Sequence, residues 1–180
     1  LIIFASAAIT QELPREIRGY KVHKAIVKVG SDGPKDKGSS EDRLTADAAV
    51  SVSRPRVADI GLFGVVLEMT AKVYPPKQRG RIDLLAFHGF TANGIPMELD
   101  EYRQPFELRG RSNEPLALTL RARIRNTDIL RAAYRELIDS KDEWRIRGRV
   151  FVFGRFKRFG LTFKRVIPVD LDLSFPNPLR

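Results

Sequence analysis

The sequence predicts a mostly-β chain, a two-sheet antiparallel sandwich of roughly seven strands with one short helix. Three observations carry that expectation. Apolar and polar residues alternate through three long runs, Val65–Val73, Leu116–Ile124 and Ile167–Phe175, the period of a strand with one buried face. Turn-forming residues separate the runs. Near residues 127–139 alone, the apolar positions recur at four-residue spacing. A parallel βαβ architecture needs a helix between most strands, and the sequence has no pattern for them.

Gly19 to Val29 (GYKVHKAIVKV) is rich in β-branched and aromatic residues and reads as the first strand. The polar stretch from Gly30 to Asp42 then reads as a loop. In the next run Val65, Leu67, Met69, Ala71 and Val73 share one face, opposite Glu68, Thr70 and Lys72. Tyr74-Pro75-Pro76 stops it, because proline brings no ladder donor. Arg81–Phe90 and Ile95–Leu99 flank Asn93-Gly94, a pair suited to the positive φ angles of a type I′ hairpin turn.

Leu116, Leu118, Leu120, Ala122 and Ile124 form another apolar face. The helix follows: Asn126 or Thr127 caps it, Asp128 suits its first turn, and Ile129, Leu130, Ala133, Tyr134, Leu137 and Ile138 make its stripe. Strands then resume. Trp144, Ile146, Gly148, Val150 and Val152 face one way, against Arg145, Arg147, Arg149, Phe151 and Phe153. Phe151–Phe156 and Phe159–Phe163 read as a hairpin turning near Arg155–Gly160. Its rings are expected on one face, with Arg and Lys stems laid over apolar surface. The last strand points Ile167, Val169, Leu171, Leu173 and Phe175 inward and Asp170 and Asp172 outward, where the acids balance the neighbouring cationic strand.

Composition bounds the rest. With 180 residues and 43% apolar content, the chain suits one core of ordinary size. Residues 1–18 read as an N-terminal tail. Residues 19–180 read as a single domain that includes a polar loop at 30–47. The absence of cysteine excludes disulfides, thiolate zinc sites, iron–sulfur clusters and cysteine nucleophiles. Leu1-Ile2-Ile3-Phe4 followed by Ala5-Ser6-Ala7 is similar to the end of a signal peptide with its cleavage site. That pattern leads us to expect export, to a periplasmic, extracellular or envelope-associated location, with processing near Ala7.

The order of these features resembles the group-two late embryogenesis abundant domain, also called the water-stress and hypersensitive-response domain, over about residues 48–175. The resemblance rests on Val57-Ala58-Asp59-Ile60-Gly61-Leu62-Phe63-Gly64 leading into the long strand, then the Asn-Gly hairpin, the short helix, Trp144-Arg145-Ile146-Arg147-Gly148-Arg149-Val150 and the final alternating strand. The family's long strand usually ends in Asn-Pro, where this chain has Tyr74-Pro75. The resemblance implies an immunoglobulin-like or fibronectin-like sandwich and a non-catalytic role of the desiccation or stress-protection type. It brings no catalytic residues.

The charge supplies a different expectation. The formal net charge is +10. Between Arg145 and Arg165 lie eight cations and no acid: Arg145, Arg147, Arg149, Arg155, Lys157, Arg158, Lys164 and Arg165. These are the candidate anion-binding residues, for an anionic lipid, an acidic polysaccharide or nucleic acid. An RNA-recognition motif is excluded because Arg149 stands where its aromatic is required. His23 and His88 lack zinc spacing, no G-x-S-x-G elbow occurs, and no glycine-rich loop precedes a helix. Asp100-Glu101, Asp170 and Asp172 are read as structural acids. The sequence thus points to no catalytic, metal or cofactor residues and to no small-molecule substrate.

Overall fold

The computed structural model describes residues 13–31, 48–74, 79–108, 115–125, 127 and 143–176. About three quarters of these lie in strands. In chain order they are β1 (Glu16–Ile17), β2 (Tyr20–Val22), β3 (Val27–Ser31), β4 (Ala48–Val52), β5 (Arg56–Gly61), β6 (Gly64–Tyr74) and β7 (Gly80–Ala92). There follow β8 (Ile95–Pro96), β9 (Glu98–Leu99), β10 (Phe106–Leu108), β11 (Leu116–Arg125), β12 (Glu143–Arg158) and β13 (Leu161–Pro176). They form two sheets. One runs β1-β2-β13-β12-β7-β10 with β8 beside β7; the other runs β3-β4-β6-β11-β9 with β5 beside β6.

The spine of the first sheet is the β12–β13 hairpin, paired without interruption from Glu143↔Pro176 to Arg158↔Leu161. Phe159 and Gly160 make its turn with φ of 51° and 76°, the left-handed pair that matches strand twist. Asn93-Gly94 does the same at the β7–β8 turn, with φ of 49° and 81°. Arg18-Gly19 turns β1 into β2 with φ of 52° and 79°.

Inward faces follow the predicted alternation. Leu67, Met69 and Ala71 on β6 and Leu118, Ala122 and Ile124 on β11 are buried. From the other sheet Trp144, Ile146, Leu173 and Phe175 join the same core. Strand β7 carries more than simple alternation. Its pairing with β12 slips between Arg147 and Arg149 and again between Phe153 and Gly154. Each slip inserts one β7 residue and resets which residues face inward. Ile82, Leu85, Phe87 and Phe90 therefore all face the space between the sheets.

The sandwich is not wholly antiparallel as expected. β2 pairs parallel with β13, and β3 pairs parallel with β4. The expected single strand Gly19–Val29 is split between the two sheets, because the chain leaves the first sheet after His23 N–H donates to Val166 O at 2.9 Å. A segment that crosses between sheets joins the edge it reaches in whichever direction it arrives. His23 consequently lies in a link, not on a strand. What is established is a β-sandwich of mixed sheets; an immunoglobulin-like topology in particular is not.

One further expectation changes. The hairpin phenylalanines do not share one face: Phe156 and Phe163 look between the sheets, whereas Phe153 is buried on the outer face. Parity decides this, since 153 and 156 differ by an odd step. Over the outer face lies Tyr20 from β2, its ring edge-on to Phe153 at 5.3 Å. Of the helix expected at 127–139 only Thr127 is described, so the helix lies outside the described residues, as do 32–47 of the polar loop and residues 1–12.

Candidate functional site

The eight candidate cations separate into two groups once register is known. Arg145, Arg147 and Arg149 share the outer face of β12; Arg147 and Arg149 stand opposite Asp172 and Asp170 on β13, and Arg145 opposite Ser174, diagonal to Asp172. Arg145 Nε and Nη2 each donate to Asp172 at 2.5 Å, and Arg149 does the same to Asp170 at 2.5 and 3.1 Å. Arg147 Nε reaches Asp172 at 3.4 Å. The hydrogen bond from Arg145 is the main cause holding the Asp172 carboxyl below its ordinary range. The bond to Asp170 likewise holds Arg149 above its own. Arg155 Nε donates to Asp83 Oδ2 at 3.1 Å, beside the hydroxyl of Tyr20, which donates to the same oxygen at 2.9 Å. The β7 bulge at Asp83 is what aims this carboxylate to the outer face.

Lys157, Lys164 and Arg165 behave differently. No carboxylate pairs with any of them among the described residues. Lys157 pairs with Thr162 one rung from the closing pair of the β12–β13 turn, whereas Lys164 and Arg165 pair with Arg155 and Gly154, three and four rungs back. Arg165 Nη1 is 3.0 Å from His23 Nδ1, and its guanidinium sits 5.5 Å from the centroid of the Phe163 ring. Since arginine only donates, Nδ1 accepts, which leaves the proton of a neutral His23 on Nε2. The Arg158 side chain lies outside the described residues.

The same end of the sandwich is apolar where it meets solvent. Phe159 is 89% exposed, Leu161 62% and Ile26 65%. Exposed large apolar residues mark contact surfaces, and a second set, Ile60, Leu62 and Phe63, stands at the β5–β6 turn. Cations and rings thus share the hairpin tip.

Behind that tip lies an apolar cavity of about 790 Å³ between the sheets. Its walls are the inward faces already described, among them Val50, Leu120, Val150 and Val152, aliphatic side chains that face inward yet remain only partly buried. His23, Lys157 and Arg165 are the charged or polar lining residues among those described, and all three stand at the hairpin end. Packing differs along the sandwich. It is closed around Trp144, which lies outside the cavity lining, whereas the lining extends from Ile146 and Phe175 to Phe163 near the turn.

The remaining titratable residues do not converge. His88 is exposed on β7 with its ring 6.4 Å from Phe151, and neither it nor Asp170 lines the cavity. Glu101 binds Arg18 at 2.7 Å and Arg103 at 2.9 Å, chiefly through hydrogen bonds that hold its carboxyl below the ordinary range. Among the described residues no group of three or more His, Asp or Glu is placed to hold a metal ion. In the sequence His23 shows only a lack of zinc spacing, and the cavity has no signal there. Phe159 and Leu161 were visible as turn neighbours, but their exposure was not.

No protein-family model matches the chain, and no curated protein matches it. Two solved structures are similar at low identity. A protein of Archaeoglobus fulgidus, known from a crystal structure, is 14% identical with a TM-score of 0.39, and the likeness covers 71% of this chain and 95% of that one. A protein of Arabidopsis thaliana, solved in solution, is 13% identical with a TM-score of 0.38, covering 68% of this chain and 78% of that one. At these values neither likeness assigns a family or a function.

Proposed function

We propose that the protein is a non-enzymatic binding module that docks on an anionic lipid surface through the end carrying the β12–β13 turn. One observation supports the reading above others: exposed Phe159 and Leu161 sit beside Lys157 and Lys164, cations with no carboxylate partner among the described residues. A polysaccharide or nucleic acid would use the cations but offers no apolar phase for an aliphatic side chain such as Leu161. A bilayer uses both, by charge attraction and by burial of the tip. The resemblance to the water-stress domain is compatible with such a module. Stress protection and export draw no support from the described residues or the comparisons, and the reading needs neither.

Vesicle sedimentation tests it. The protein should pellet with phosphatidylglycerol-containing vesicles, not with phosphatidylcholine alone, and salt should release it. Phe159→Ser and the pair Lys157→Gln, Lys164→Gln should each weaken retention, while Arg149→Gln should not. Retention on heparin with no preference for anionic vesicles would replace the lipid surface by a soluble polyanion.

A further inference from the structure

We infer that the cavity between the sheets binds a single-chain anionic amphiphile, a long-chain fatty acid, with its chain between the sheets and its carboxylate at Arg165, His23 and Lys157. This goes beyond docking on a surface and does not depend on it, although both use the same end of the molecule.

Three observations carry the inference. The first is volume and shape. About 790 Å³ lies within the range of small-molecule sites, about 300–1,000 Å³. On β13 the lining runs from Phe163 to Phe175, about 40 Å of strand at roughly 3.3 Å per residue. An elongated apolar space suits an extended chain better than a compact ring system.

The second is the placement of charge. The polar lining residues are at one end of an otherwise apolar wall, so the wall itself is amphipathic along its length. A ligand neutral throughout would leave the half-buried Arg165 without a counter-charge; a ligand charged at both ends would bury one charge against aliphatic groups. An anion at one end of an apolar chain meets both conditions.

The third is donor chemistry. Arg165 spends one N–H on His23 Nδ1 and keeps others, and His23 then presents Nε2–H. With the Lys157 ammonium, these are donors only. A fork-shaped guanidinium accepts a carboxylate through two parallel hydrogen bonds.

Energy transfer from Trp144, the one tryptophan of the chain, to dansyl-labelled undecanoic acid tests the inference in solution without vesicles. The wild-type protein should show saturable transfer, reversed by palmitate and poorly by hexadecanol, which has the chain but not the charge. Arg165→Gln should weaken probe binding about tenfold or more, the loss of a charge-assisted hydrogen bond, and bring the two competitors closer together. Val150→Phe, which fills the middle of the cavity, should abolish transfer; if that variant misfolds by circular dichroism, Arg165→Gln and the competitor pair decide the matter alone. Absence of saturable transfer in wild type overturns the inference, as does equal binding of the probe by Arg165→Gln and wild type. Vesicle sedimentation without probe binding removes the cavity ligand and leaves docking; probe binding without sedimentation does the reverse.

Discussion

Arg149 holds Asp170 through both carboxylate oxygens, directly across the β12–β13 ladder, and so turns a run of cations into a striped surface of pairs. Arg145 holds Asp172 by the same two-pronged contact one diagonal along. The charge of the hairpin is therefore spent along its length and left over at its tip. This distribution yields the first prediction.

Asp170→Asn with Asp172→Asn should release three arginines and move elution from heparin to higher salt than wild type, because each uncovered cation can displace a counterion. Folding should survive, as exposed pairs contribute little. Elution at unchanged salt would show that the acids do not mask the strand.

Acid should weaken the fold in part through Asp172 and Glu101. Both carboxyls are held below their ordinary values by arginine hydrogen bonds. Below the unfolded values, about 3.9 for Asp and about 4.3 for Glu, the unfolded chain takes up protons that the folded chain still refuses. Stability thus rises with pH in that window and is lost as pH falls through the folded values. Urea midpoints measured from about pH 5 down to about pH 3 should drop less steeply in Asp172→Asn with Glu101→Gln. Identical slopes would remove these pairs from the account.

Gly148 is needed for space. A β-carbon there would stand 2.5 Å from Cδ2 of Phe90, whose ring lies over the bare backbone at the first β7 slip. Gly148→Ala should force the Phe90 ring aside and destabilise by about 1–3 kcal/mol, the usual cost of overpacking. Pairing it with Phe90→Leu should recover part of the loss in denaturant titrations. Additive losses in the double variant would show that the two residues do not compete.

The cover on the outer face should be part of the core. Phe153→Ala is expected to cost about 3–5 kcal/mol, since its ring is buried beneath Tyr20. Tyr20→Phe should cost less, about 0.5–1.5 kcal/mol, because Asp83 keeps Arg155 as a partner. Thermal or urea unfolding gives both. A neutral Phe153→Ala would mean that the Tyr20–Phe153 contact adds nothing to the stability of the sheet.

Several features were legible from residues alone, because they are local. Alternation in Val65–Val73 and Leu116–Ile124 gave the correct faces, since period two is a property of a single strand. Asn93-Gly94 announced its turn, since positive φ selects those residues. Even the balance of Asp170 and Asp172 against the cationic strand followed from outward placement on adjacent strands.

What the tertiary structure decided involves distance along the chain. Alternation assigns a face to each residue, but not the neighbour across 142 positions that brings Arg165 to His23, nor the crossing that splits Gly19–Val29 between sheets. Two slips in β7 set Leu85 and Phe87 inward along with Ile82 and Phe90, against simple parity, and bulges arise from pairing, not from composition. The cavity has no sequence signature at all. Inward Val150 and Leu120 read the same whether the facing sheet touches them or stands apart, and the separation of two sheets is set by every residue between them at once.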